Sequence, residues 1–188
     1  MRKCAIIVEN RLSKELDIII EKHMDFLPGW DLKHIKADIN SGEDYNNLLI
    51  SHDFWNIPYD KVLIFQHDSM ILREGIDEFL QYVFIGAPIE RSRHFPFPAM
   101  NGGLSIRTPQ ALIECITKIP RHTTKYSQHN EDIYYSYISS QLGFNLPDYE
   151  TARRFSVETI FGLGSLGIHA IEKYLSDEEV TWIMDQYE

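Results

Sequence analysis

The chain has 188 residues, enough to bury a sizeable core in one domain, and 44% hydrophobic with 24% charged residues is a globular balance rather than a disordered one. Its formal net charge of -10 argues against non-specific binding to nucleic acid or to an anionic membrane. A phosphate ligand would therefore need local help from a metal ion, a helix N-terminus or a few aimed arginines. No stretch is long and apolar enough to span a bilayer, and the apolar run after Met1-Arg2-Lys3 stops at Glu9, too early for a secretory signal. Cys4 and Cys115 set no disulfide framework and have no metal-ligand spacing, so they read as buried free thiols. These features predict a soluble, cytoplasmic protein.

Residues 4–8 are apolar throughout and read as a strand covered on both faces, ending in the polar residues Glu9, Asn10 and Arg11. Leu12, Leu16, Ile19, Ile20, Met24 and Leu27 recur at helical spacing, with Ser13 placed to cap the helix and Pro28-Gly29 to stop it. Residues 30–35 read as a second strand, followed by Asp38 and the turn residues Asn40-Ser41-Gly42. Strand, helix and strand at this length make a βαβ unit. Residues 44–51 read as a short helix. Residues 62–65, Val-Leu-Ile-Phe, then form a central strand that ends abruptly on Gln66, His67 and Asp68.

Further along, residues 74–82 read as helical and residues 84–87 as another short strand. Residues 88–100 form a long loop carrying Arg91, Arg93 and His94, which fits either a lid or a solvated basic loop. Asn101-Gly102-Gly103 reads as a turn into a strand over residues 104–107, and Thr108-Pro109 opens a helix running to about Lys118. Asn130 caps a helix whose first turn is Glu131-Asp132, and Gly143 ends it. Residues 147–158 read as irregular or briefly helical. A glycine-rich stretch over residues 161–167 leads to His169, and Ser176 with Glu179 forms a capping-box pair for the last helix. No repeat or linker divides the chain, which predicts one domain over residues 1–188.

Ligands of open α/β sheets bind outside the carboxyl ends of the strands, which singles out Asp68. The phrases Leu63-Ile64-Phe65-Gln66-His67-Asp68-Ser69, Ile85-Gly86-Ala87-Pro88, Asn101-Gly102-Gly103-Leu104-Ser105 and Glu131-Asp132, in that order, resemble a little-characterised family within the GT-A class of nucleotide-sugar glycosyltransferases. The resemblance implies an α/β, Rossmann-like GT-A domain with a mixed, mostly parallel sheet flanked by helices. It implies transfer of a sugar from a nucleoside diphosphate donor, a UDP- or GDP-sugar, to a glycan or other hydroxyl acceptor.

By the same resemblance, Gln66-His67-Asp68 stands where the class has Asp-x-Asp. Asp68 and His169 become ligands of a divalent metal, Mn2+ or Mg2+, and Gln66 a hydrogen-bonding residue for ribose or phosphate. A carboxylate facing a diphosphate needs such an ion between them, and imidazole favours manganese. His67 is a spare ligand or donor contact. Asn101, Gly102 and Gly103 would lie beside the donor sugar, while Glu9, Asn10, Arg11 and Asp38 would hold base, ribose and diphosphate. Asp132, with Glu131 second, would take the acceptor proton in an inverting reaction. Both carboxylates also suit a helix N-terminus, whose dipole would lower their pKa. The short chain predicts acceptor recognition by a partner domain or subunit. Two other readings stay open: a non-catalytic nucleotide-sugar-binding subunit, and a sugar-1-phosphate nucleotidyltransferase.

Overall fold

Three parallel strands carry the first half of the chain: β1 (Lys3–Val8), β2 (Asp31–Ile35) and β3 (Lys61–Phe65), with β1 between the other two. Val62, Leu63, Ile64 and Phe65 are wholly buried, as expected of a β-branched and aromatic run at the centre of a sheet. Two short strands follow in sequence, β4 (Ser69–Ile71) and β5 (Phe84–Pro88), then the long β6 (Met100–Arg107). β6 pairs antiparallel with both β3 and β5, so the main sheet has the order β2-β1-β3-β6-β5. β4 belongs instead to a second, three-stranded sheet with β7 (Ser156–Val157) and β8 (Gly167–His169), in the order β4-β8-β7. This computed structural model describes residues 1–89 and 95–187. Arg91, Arg93 and His94 therefore lie outside the described residues.

The helices form where capping and apolar spacing coincide. α1 (Lys14–Asp25) starts at Ser13, whose Oγ accepts from the Leu16 N–H at 3.1 Å. Leu12 precedes that cap and stays 69% exposed, so the apolar spacing read from Leu12 begins one turn late. α2 (Gly42–Leu49), α3 (His52–Trp55), α4 (Pro109–Lys118) and α5 (Glu131–Gln141) pack against one another. α5 is buried nearly all round, with Tyr134, Tyr135 and Ile138 fully covered. α6 (Tyr149–Phe155) lies against β5, and α7 (Asp177–Met184) begins with the expected Ser176–Glu179 capping box and turns Ile183 inward. Among the described residues no helix is long and apolar enough to cross a membrane.

Two expectations need correction. Residues 74–82 hold only a 3-10 turn, Ile76–Phe79, because Gly75 enters it at φ 107° and the apolar spacing of Ile76, Phe79 and Leu80 fills a single turn. Asn101-Gly102-Gly103 is not a turn before a strand but part of β6 itself. Pairing runs from Gly86↔Ser105 to Pro88↔Met100, so β6 carries extra residues opposite Ala87 and bulges there. The Asn101 carbonyl folds so closely over Gly86 that a Cβ there would sit 1.9 Å from it, which explains that glycine. The small second sheet is a further difference, and it brings Ser69 opposite His169.

Candidate active site

Asp68 and His169, a hundred residues apart, meet because β4 and β8 pair immediately beside them, and the Ala170 N–H donates to the Asp68 carbonyl at 2.8 Å. Ala170 adopts φ 50°, the sole non-glycine residue at positive φ among those described, so the turn out of His169 is held against a backbone preference. His169 Nε2 lies 3.1 Å from Gln66 Oε1 and 3.3 Å from Asp68 Oδ1, while its Nδ1 lies 3.2 Å from Glu158 Oε1. Lys173 Nζ donates to the other Asp68 oxygen at 2.5 Å. The approaches of Asp68 and Glu158 to the ring are close but not aligned as hydrogen bonds, leaving Asp68 Oδ1 and His169 Nδ1 buried without a directed partner. Burial alone would lower the His169 pKa. The two carboxylates outweigh it and push the imidazole up to about 9. His169, and after it Lys173, hold Asp68 well below the usual carboxylate range.

His169 Nε2 thus stands from both Asp68 Oδ1 and Gln66 Oε1 at separations near the roughly 3 Å edge of a site whose metal–ligand bonds are about 2.0–2.1 Å. Glu158 behind Nδ1 supplies the carboxylate that commonly orients a metal-bound histidine. Among the described residues no three His, Cys, Asp or Glu side chains are grouped to hold an ion. The chain offers a partial coordination set of one carboxylate, one imidazole and one amide.

The bulge of β6 joins this cluster to α5. A Cβ on Gly103 would stand 2.2 Å from His169 Nε2, and one on Gly102 would stand 2.6 Å from Glu131 Oε1. The Gly102 N–H donates to Asp132 Oδ2 at 3.2 Å, and the Gly103 N–H to Asn101 Oδ1 at 2.7 Å. Two adjacent glycines therefore carry Asp132 on one side and His169 on the other. Glu131 is engaged differently. Its carboxylate forms a buried, bidentate pair with Arg107, at 2.7 and 2.9 Å, and Arg107 also reaches Ser105 Oγ, which donates to the Gly102 carbonyl. Asn46 of α2 accepts from the Glu131 N–H at 3.0 Å, whereas Asn130 makes no side-chain cap bond. A helix N-terminus alone predicts a lowered pKa for Asp132. Burial, and then the charge of Glu131, win instead and push it up to about 7.

Two clefts flank these groups. One, of about 370 Å³, is lined by Glu9, Asn10, Arg11, Tyr45, Gln66 and His67. There Glu9 accepts from the Arg11 backbone N–H at 2.9 Å and from its guanidinium at 3.0 and 2.6 Å, which lowers the Glu9 pKa to about 2. The Arg11 guanidinium also lies 3.2 Å from His67 Nδ1. Asn10 Oδ1 accepts from the Ala37 N–H, and Asp38 is exposed and does not line the cleft. The second cleft, of about 400 Å³, is lined by Asn101, Asp132 and Glu158 among others. Gln66 in the first touches His169, which touches Glu158 in the second. A larger cavity of about 460 Å³, around Phe97, Met100 and Tyr149, is apolar and holds none of these carboxylates.

Glu158, Lys173, Arg107 and Tyr45 escape a reading of the sequence. Glu158 and Lys173 follow short elements without periodicity, and only the pairing of β8 brings them to Asp68. Arg107 had a signal, a charge closing a strand beside the apolar Leu104 and Ile106 and facing Glu131 at a helix start.

The fold is GT-A-like. The chain is similar over 94% of its length to the apo form of the glycosyltransferase GlyE of Streptococcus pneumoniae TIGR4, at 11% identity and a TM-score of 0.52, and spans 55% of that protein. Residues 30–169 match the family described as "Protein of unknown function (DUF5672)", and the chain belongs to that family. Weaker likenesses are to a glycosyltransferase involved in glycosylation of the major capsid of PBCV-1 and to A197 from STIV. The first has 12% identity over 89% of this chain and 94% of that one, TM-score 0.47. The second has 12% over 73% and 77%, TM-score 0.45. No curated protein matches the sequence.

Proposed function

We propose that the chain transfers a sugar from a nucleoside diphosphate donor to a hydroxyl acceptor with inversion at the anomeric carbon. The observation that carries this reading is the Gly102–Gly103 segment, which ties Asp132 to one glycine and packs His169 on the next. A hydroxyl is a poor nucleophile until a positioned base removes its proton. Asp132, with a pKa near 7, is ionised in a useful fraction at neutral pH and basic enough to accept that proton. The acceptor oxygen bonds to the anomeric carbon, the carbon–diphosphate bond breaks, and the proton moves to Asp132. Glu131 is a positioning residue, since Arg107 already occupies its carboxylate.

The donor is assigned to the cleft of Glu9, Asn10, Arg11, Gln66 and His67, where Arg11 is the lining cation. Asp68 and His169, assisted by Gln66, would hold Mn2+ or Mg2+, which supplies charge stabilisation to the leaving diphosphate. The pairing of Asp68 with Lys173 favours a second reading, a subunit that binds nucleotide sugars without turning them over. Release of UDP or GDP from their sugars in the presence of Mn2+, measured for wild type and Asp132→Asn, separates the two. The proposal predicts release by wild type and at least a hundredfold loss in the variant, the lower end of general-base contributions of about 10²–10⁴. Donor binding by a wild type that releases nothing refutes it.

A further inference from the structure

The cleft above Asp132 has a composition of its own. Phe95, Tyr174 and His129 supply aromatic surface, Gln128, Asn101 and Asn130 supply amides, and Asp132 with Glu158 supplies acid. Among the described residues no lysine or arginine lines it. Phe95 is half-buried and held as a platform, its ring centroid 5.0 Å from Phe97, 5.7 Å from Tyr126 and 6.0 Å from His129. Tyr126 and Phe97 are themselves buried, so this small aromatic cluster fixes the ring before any ligand arrives, and little side-chain entropy remains to be lost on binding.

We propose that this cleft takes a neutral sugar unit, resting the apolar C–H face of its pyranose ring on Phe95. The assignment of that sugar as the acceptor rests on the transferase reading above. A pyranose has one face of C–H groups and a rim of hydroxyls, which matches an aromatic platform edged by amides, each able to donate and accept. The acids decide between sugars. Ionised Asp132 repels a carboxylate or phosphate, Glu158 being already paired with His169, and no described lysine or arginine lines the cleft to answer one, so a uronic acid, a sialic acid or a phosphosugar enters against like charge. A volume of about 400 Å³ is within the range of sites for small ligands and does not require a protein surface as partner.

Saturation-transfer NMR on the whole chain, without donor, tests this directly. The probes are the methyl pyranosides of glucose, galactose and mannose, the methyl glucuronide, and a serine- and threonine-containing peptide. At least one neutral glycoside gives transfer centred on its C–H face, and Phe95→Ala weakens it by about fivefold or more, the scale of a single aromatic contact, while Phe95→Tyr restores it. The glucuronide binds less well than its neutral counterpart. Equal binding of the charged and neutral sugars, unchanged binding in a folded Phe95→Ala, transfer to the peptide alone, or no transfer to any glycoside overturns the proposal. Glycoside binding needs no nucleotide, so it holds or fails independently of UDP or GDP release.

Discussion

Replacing Gly103 by alanine tests how closely the two halves of the site are fitted. The new Cβ would lie 2.2 Å from Nε2, 2.3 Å from Cε1 and 2.6 Å from Cδ2 of His169. Contact distances between carbon atoms are about 3.5 Å or more, so the ring must retreat by roughly 1 Å. It has little room, being 6% exposed and backed by Glu158 at 3.2 Å. Overpacking of this kind costs about 1–3 kcal/mol. A retreat on that scale also opens the 3.1 Å contact with Gln66 beyond hydrogen-bond reach and misplaces Nε2 for any ion shared with Asp68. Urea unfolding gives the first quantity, and electron paramagnetic resonance of free Mn2+ with UDP present gives the second. Gly42→Ala is the control, because nothing lies within 4 Å of its Cβ, and its stability stays within about 0.5 kcal/mol of wild type. A Gly103→Ala protein with wild-type stability and wild-type Mn2+ binding would refute the reasoning.

Other outcomes follow from buried charge. Arg107→Met leaves Glu131 alone in the interior and lowers stability by about 3–5 kcal/mol, and adding Glu131→Leu recovers much of that loss in urea melts. If Asp132 is the base, sugar transfer rises as pH passes upward through about 7 and levels off above it, because the ionised form is the active one. A pH–rate profile that is flat from 5.5 to 8.5 contradicts that role. His23, fully buried and stacked 4.4 Å from Phe65, has its pKa driven down by burial from 6.5 to about 4. The unfolded chain binds that proton near 6.5 and the folded chain resists it. Stability is therefore full above pH 6.5 and declines on acidification towards pH 4, by up to about 3 kcal/mol. Urea midpoints measured across that window should lose this share of their slope in His23→Phe.

How much of this was legible in the sequence depended on range. β1 and β3 announce themselves by unbroken apolar runs, and α4 by Thr108-Pro109 at its start. The glycine pair was legible as a backbone needing close approach, but Asn101-Gly102-Gly103 looked like a turn because the same residues serve turns and bulges. Strands of two or three residues such as β4, β7 and β8 carry no period, so the second sheet went unread, and only the family resemblance put His169 with Asp68. The role of Glu131 was hidden for a similar reason. Its partner Arg107 is 24 residues away, and burial rather than the helix dipole decides the ionisation of its neighbour Asp132.

The claim on which the rest depends is that the strand-end cleft holds a nucleoside diphosphate sugar together with a divalent ion. Thermal unfolding of wild type and Asp68→Asn against a panel of UDP- and GDP-sugars, each with and without Mn2+, measures it. A ligand at a hundred times its Kd stabilises by about 2.7 kcal/mol, which for a chain of this size raises Tm by roughly 5–10 °C. The account predicts such a rise for at least one donor, dependent on Mn2+ in wild type and lost in Asp68→Asn. No rise with any donor, or an equal rise in Asp68→Asn, would contradict it.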